Sequence, residues 1–262
     1  MDLGIRGRKA IVNGGSAGMG RSAVLSLARE GVECWVSARG EARLVEACRA
    51  IEAETGVPVH PIATDHSTDA GREAILAACP APDILVGTCS PPPMTPDYKA
   101  IEEADWRSAI DISLLSPVAF MRAVVPGMAA RGWGRVVNIA TVAAKYPGEI
   151  RALSGSTRAA LANYAVAVSK VEARHGVIIN TLLPGMHHSA FVEKQFNERA
   201  AAKGITYDEE VAQFCRDWRI ASERFGECDD VGDWVAMFCS AQANYITGQS
   251  LVIDGGATNS VF

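Results

Sequence analysis

Short apolar runs alternate with longer amphipathic stretches along most of the chain, and the alternation predicts its elements. Strands are expected at Lys9 to Val12, Glu33 to Ser37, Val57 to Ala63 and Ile84 to Val86. Helices are expected between them, at Arg21 to Arg29, Glu41 to Glu54 and Ala70 to Ala78. The second half continues with a long helix around Ala104 to Arg131, a strand at Gly134 to Ile139, a helix from about Ser154 to Glu172 and a strand at Val177 to Leu182. A last strand, Ser250 to Ile253, precedes Asp254-Gly255-Gly256. Such alternation predicts an α/β fold, a doubly wound parallel sheet of about seven strands with helices on both faces. The stretch from Ser189 to Arg224 is helical in pattern but belongs to no strand-helix repeat, and is expected to form a lid over the ligand cleft. Pro91-Pro92-Pro93 reads as a rigid loop, because prolines cannot join a ladder.

Composition narrows the class. With 262 residues, 48% of them hydrophobic, and no repeat or long linker, the chain is expected to build one domain, 1–262. Net charge is -5 with both signs interspersed, which argues against a nucleic-acid partner or a polybasic membrane patch and leaves a small-molecule ligand. Seven scattered cysteines (Cys34, Cys48, Cys79, Cys89, Cys215, Cys228, Cys239), without a C-x-x-C or a metal-type pairing with His, fit a reducing cytoplasm. The N-terminus lacks a signal-peptide core, and no run is apolar enough without interruption to suggest a membrane span.

The chemistry begins at Asn13-Gly14-Gly15-Ser16-Ala17-Gly18-Met19-Gly20, between the first strand and the first helix. Glycines there let the backbone turn sharply and bring a pyrophosphate up to a helix N-terminus, whose free N–H groups and dipole favour anions. Glycines also serve plain turns, so the placement carries the meaning.

This glycine spacing comes with Asp65 after the third strand, Pro184-Gly185 after the sixth, and Tyr245-Ile246-Thr247-Gly248-Gln249 leading to Asp254-Gly255-Gly256. In that order, over essentially the whole chain, these motifs resemble the short-chain dehydrogenases/reductases. The resemblance implies an oxidoreductase that interconverts a carbonyl and an alcohol with a nicotinamide dinucleotide, in a homotetramer or homodimer. It implies cofactor contacts from Gly14, Ser16, Gly18, Met19, Gly20 and Thr88, from Asp65 and His66 beside the adenine, and from Pro184, Gly185 and Ser189 beside the carboxamide. The alternative for Asp65, weaker than the adenine contact, is a helix cap before Ser67 and Thr68. The second strand ends in Ser37-Ala38-Arg39, with no acid for a ribose 2'-hydroxyl and with Arg39 able to pair with a 2'-phosphate. NADP is therefore favoured, with NAD as the alternative.

The proton-transfer set departs from the family. Flanking segments put Thr141 at the position of the family's Ser, Ser154 at that of the Tyr, Arg158 at that of the Lys and Ser113 at that of the Asn. The usual Asn-Asn-Ala-Gly reads Gly87-Thr88-Cys89-Ser90. Thr141 keeps a hydroxyl that donates and accepts. Arg158 can hold ribose hydroxyls but does not release a proton near neutral pH. Ser154 is a far weaker acid than a phenol. Tyr146, His187 and His188 are candidate substitute donors, each with an ordinary packing or hinge role as the alternative.

The sequence thus predicts a reductase with a non-standard proton donor. The alternatives are a non-redox enzyme on the same scaffold, of lyase or dehalogenase type, or a non-catalytic NADP-binding subunit. Halohydrin dehalogenases resemble this family and also carry Arg for Lys, but they keep the Tyr and lose the glycine turn.

Overall fold

A computed structural model describes residues 1–88, 92 and 97–259. Seven strands, β1 (Lys9–Asn13), β2 (Glu33–Ala38), β3 (Val59–Ala63), β4 (Ile84–Gly87), β5 (Gly134–Ile139), β6 (Val177–Pro184) and β7 (Ser250–Ile253), form one all-parallel sheet in the order β3-β2-β1-β4-β5-β6-β7. The order reverses between β1 and β4, so their carboxyl ends open a crevice at the switch point. The expected doubly wound sheet is present.

Six helices flank the sheet: α1 (Gly18–Arg29), α2 (Glu41–Thr55), α3 (Asp69–Ala78), α4 (Glu103–Ile110), α5 (Ser116–Ala130) and α6 (Ala152–Glu172). Two core layers result, one from α1 and α2 against β1 and β2, the other from α5 and α6 against β5 and β6. β5 and β6 are buried throughout, which suits their largely apolar sequences, interrupted by the buried polar residues Arg135, Asn138, Asn180 and Thr181.

The single long helix expected over Ala104 to Arg131 is interrupted. A π-helical turn at Asp111–Leu115 separates α4 from α5 and turns Ser113 inward, where it is 1% exposed. The combined segment Glu103–Ala130 is also long and apolar enough to cross a membrane by length and composition, against the expectation that no segment would be. Its apolar residues have a different use: Phe120, Met121, Val124, Val125 and Met128 are buried on the sheet.

The stretch expected to form a lid contains α7 (Ala190–Lys203) and α8 (Tyr207–Asp217), with a small core of Phe196, Val211, Cys215, Ile220 and Phe225. A ninth helix, α9 (Cys228–Cys239), was not among the expected elements, although Glu227 and Asp230 form a capping box at its start. It packs on α1, where Ser22 Oγ donates to Asp229 and Ser26 Oγ to Asp233 Oδ1 at 2.8 Å. Pro184, expected just after β6, is its last residue. Cys89 and most of the triproline segment lie outside the described residues; the six described cysteines are free thiols.

Candidate active site

The glycine turn is shaped by contacts that exclude side chains. A Cβ at Gly20 would overlap the Gly14 carbonyl oxygen, and one at Gly14, whose φ is +76°, would sit 3.0 Å from the Thr88 carbonyl oxygen. Gly14 N–H donates to the Ser37 carbonyl at 2.8 Å, pinning the turn to the end of β2. Ala17, the residue before α1, offers no side-chain cap, and no acid stands in the first turn. The free amides of that turn therefore face the crevice without a competing oxygen. Ser16 is buried beside them, Met19 is packed on the core, and Thr88 closes the far side.

Arg39 stands exposed at the end of β2. Asp65 Oδ1 accepts from Ser67 N–H at 2.9 Å and from Ser67 Oγ at 2.6 Å in a local turn, but it does not cap α3; Thr68 does, accepting from Gly71 N–H. His66 faces inward. Burial, opposed by Asp65 and reinforced by Arg39 and Arg72, lowers its pKa and keeps the ring neutral at pH 7.

Beneath the crevice lies a cavity of about 20 Å³ whose polar lining is Asn13, His66, Thr88, Ser113, Ser116 and Arg158. That volume holds about one water molecule. The π turn brings Ser113 to this lining, and Ser116 Oγ donates to the His66 carbonyl at 2.7 Å. Sequence reasoning missed Ser116, which carries no motif, and gave Asn13 only as the start of the glycine turn; both meet the others through the sheet crossing.

Thr141, after β5, opens a short 3-10 turn over Val142–Ala144, and α6 lies against that turn. A Cβ at Gly155 would approach the Ala143 carbonyl oxygen to 2.8 Å, so glycine permits the contact. On α6, Ser154 and Arg158 are one turn apart, 3% and 4% exposed, and Arg158 Nη1 donates to Ser154 Oγ at 2.6 Å. The structure thus brings Ser154, Arg158 and Ser113 to one side of the sheet's carboxyl edge, with Thr141 at the neighbouring strand end.

The two histidines lie between the end of β6 and the start of α7. His187 is 2% exposed, forms a parallel bridge with Gly226, and its ring lies where a Cβ at Gly226 would come within 2.6 Å. His188 Nδ1 lies 2.9 Å from the Tyr207 hydroxyl. Ser189 caps α7 through the Val192 N–H. Tyr146 is partly buried in the loop after the 3-10 turn, with Lys145 Nζ 5.5 Å from its ring centre.

Residues 14–258 match the family model described as enoyl-(acyl carrier protein) reductase. The chain belongs to the short-chain dehydrogenases/reductases. Among curated relatives, it is 27% identical over 268 residues to oxidoreductase YvaG of Bacillus subtilis, covering 100% of both chains. It is 28% identical to the acetoacetyl-CoA reductase of Allochromatium vinosum, covering 95% of this chain and 98% of that one. Among solved structures, L-sorbose reductase of Gluconobacter frateurii, complexed with NADPH and L-sorbose, superposes with a TM-score of 0.95 at 25% identity over 100% of each chain.

Proposed function

We propose that this protein is an NADP-dependent reductase or dehydrogenase that interconverts a carbonyl and an alcohol on a small organic substrate, with the Ser154–Arg158 pair in place of a phenol as its oxygen-binding group. The observation that carries this reading is the direct bond from Arg158 Nη1 to Ser154 Oγ, buried beside an intact cofactor crevice. A glycine cradle that any side chain would fill, free amides at the start of α1 and an exposed Arg39 beyond β2 fit a dinucleotide pyrophosphate and a 2'-phosphate. NADPH-bound L-sorbose reductase, with the same fold, supports the choice of NADP.

When bound, the nicotinamide supplies or takes the hydride. The chain's own residues hold and polarise the substrate oxygen. Ser154 Oγ accepts from the guanidinium and so keeps its own proton to donate toward that oxygen, and the adjacent positive charge strengthens the donation. Thr141 can supply a second hydroxyl. Developing negative charge is thus met by fixed donors, an electrostatic role that does not require Ser154 to ionise. Arg158 would also hold ribose hydroxyls, and it lines one small cavity together with Ser113 and His66. Of the other candidate donors, His187 and His188 are occupied by the hinge.

Exposed Leu115, Val171, Trp234 and Ile246, on α5's approach, α6, α9 and the segment before β7, suit the homotetrameric or homodimeric assembly that the family suggests.

The test is a fluorescence titration with NADPH and with NADH, followed by a carbonyl screen. Enhanced NADPH emission and NADPH consumption with at least one ketone are the expected results. Absence of binding by either nucleotide would overturn the reading and favour the non-redox or non-catalytic alternatives.

A further inference from the structure

The chain enters and leaves the α7–α8 unit through one clasp. Met186 and His188, between β6 and α7, run beside Gly226 and Cys228, which lead into α9. Gly226 N–H donates to the Met186 carbonyl at 3.0 Å, His188 N–H to the Gly226 carbonyl at 2.7 Å, and Cys228 Sγ to the His188 carbonyl at 2.9 Å. The unit beyond the clasp has its own small core, apart from the two layers on the sheet. A second tether, from Ser222 N–H to the Gly255 carbonyl at 2.9 Å, holds its far side.

His187 fills the middle of the clasp. Its ring is buried, with Nδ1 3.3 Å from the Gly185 carbonyl oxygen, and it lies so close over Gly226 that a Cβ there would stand 2.7 Å from Nε2. A neutral ring can donate from Nδ1 to Gly185 and leave Nε2 bare against the Gly226 backbone. A proton on Nε2 needs an acceptor there, and the carboxylates around the clasp are engaged. At the start of α9, Asp230 Oδ2 accepts from Glu227 N–H at 2.8 Å, and Glu227 Oε1 lies 4.0 Å from His188 Nε2. Asp254, packed behind Gly185, accepts from Gly256 N–H, Thr258 N–H and Thr258 Oγ1. α7 and α8 bring Glu193 and Tyr207, and the Tyr207 hydroxyl lies 2.9 Å from His188 Nδ1.

Burial lowers the pKa of His187 below its ordinary 6.5; Gly185, Asp230 and Glu227 oppose it, and His188 adds to the lowering. An opened clasp therefore binds the proton more readily than a closed one. The contribution of His187 to closure is fully present above pH 6.5 and is lost as pH falls below it.

The clasp lies against the glycine turn. A Cβ on Gly18 would stand 4.0 Å from Cys228 Sγ and 4.0 Å from Ser189 Cβ, so both flanks of the clasp border the first amides of α1. We propose that the His187–Gly226 clasp is a proton-operated gate at the pyrophosphate end of the crevice: neutral His187 keeps it shut, and a proton on His187 opens it. The clasp stands apart from the reductase reading; the nucleotide it retains rests on that reading.

The test reads opening and nucleotide release separately. Hydrogen exchange of the peptides that hold His188 N–H and Gly226 N–H is followed in the whole protein at about pH 7.5 and about pH 5.5, with β5 and β6 as internal reference. Labelling times are scaled to cancel the intrinsic pH dependence of amide exchange. Opening linked to one proton shifts by roughly tenfold per pH unit between the two pKa values, so protection of the clasp should fall roughly 5- to 10-fold at the lower pH while the strands are unchanged. NADPH chased by excess NADP⁺ should leave faster by a similar factor.

His187→Asn keeps a donor near the Nδ1 position but takes no proton, and should make both readouts independent of pH in this range. Gly226→Ala should leave the clasp open at both pH values, because its methyl would overlap the ring. His188→Gln should retain the pH effect. Thermal melting checks that the variants are folded. Equal clasp protection at the two pH values, or a pH effect that survives His187→Asn or is lost in His188→Gln, would overturn the proposal. So would a clasp that opens in acid while NADPH leaves at an unchanged rate. Failure to bind NADPH at either pH would instead remove the reductase reading, and the exchange arm would still decide whether the clasp answers to His187.

Discussion

Arg158 Nη1 donates to Ser154 Oγ across 2.6 Å, with both side chains buried. The i, i+4 spacing that places a Tyr and a Lys in the family is thus kept, but the two positions now bond each other directly. A serine is too short to span the same gap to a substrate unless the substrate comes closer, and the guanidinium fork reaches further than an ammonium. In the proposed reaction the pair moves polarisation from the phenol to the cation.

Restoring the family residues tests this directly. Ser154→Tyr with Arg158→Lys should raise kcat for a neutral ketone by roughly 10²-fold or more, the lower end of what general acid catalysis contributes. Single replacement of Arg158 by Met should lower kcat and weaken NADPH binding together. Steady-state kinetics and fluorescence titration check both, and unchanged kcat in the double variant would show that Ser154 does not face the substrate oxygen.

Arg39 is expected to choose the cofactor. Arg39→Ala should weaken NADPH roughly 10- to 100-fold, the worth of a charge-assisted contact, while NADH is little changed. Because Arg39 is exposed, added salt should erode the NADPH preference of the natural protein.

The glycine turn has no spare volume. In Gly20→Ala the new methyl would overlap the Gly14 carbonyl oxygen, a misfit of about 1–3 kcal/mol. Thermal melting should show a fall of several degrees, and both NADPH and NADH should lose their binding signal.

Acid should loosen the α7–α8 segment before the sheet. Glu210, fully buried, accepts from Lys203 Nζ at 2.6 Å and lies 2.7 Å from Arg199 Nη2. The Lys203 bond lowers its pKa, burial opposes, and Arg199 adds to the lowering. A carboxylate with a lowered folded pKa stabilises fully above its ordinary 4.5 and loses that contribution as pH falls below it. Trp218, stacked on Phe214 at 5.3 Å, reports on this cluster. Its fluorescence should change below pH 4.5 ahead of global unfolding, and Glu210→Gln should show the loosened segment already at pH 7.

Much of this molecule was legible in the chain. Short apolar and β-branched runs located every strand, with β5 and β7 at their observed bounds, because such side chains pack best on a pleated, covered sheet. The glycine turn was equally readable, since close backbone approach leaves only glycine at Gly14 and Gly20. Flanking motifs also pointed to Thr141, Ser154, Arg158 and Ser113, of which the structure brings Ser113 and Arg158 to one cavity and bonds Arg158 to Ser154. α9 was overlooked despite its capping box and its apolar spacing at Val231, Val235 and Cys239, signals that were present but unmarked by a strand on either side.

Other features belong to the tertiary structure alone. A π turn shifts the helical register by one residue, and nothing in Asp111–Leu115 announces it; only packing against α6 and the cavity reveals that Ser113 points inward. His66, Asn13 and Ser116 come together because β1, α3's approach and α5 meet at the switch point of the sheet, from positions distant in sequence. The chain determined which residues sit on which face of each element, through local periodicity. Which faces meet, and that Arg158 comes to line one cavity with Asn13 and His66, were decided by long-range packing, which local periodicity does not encode.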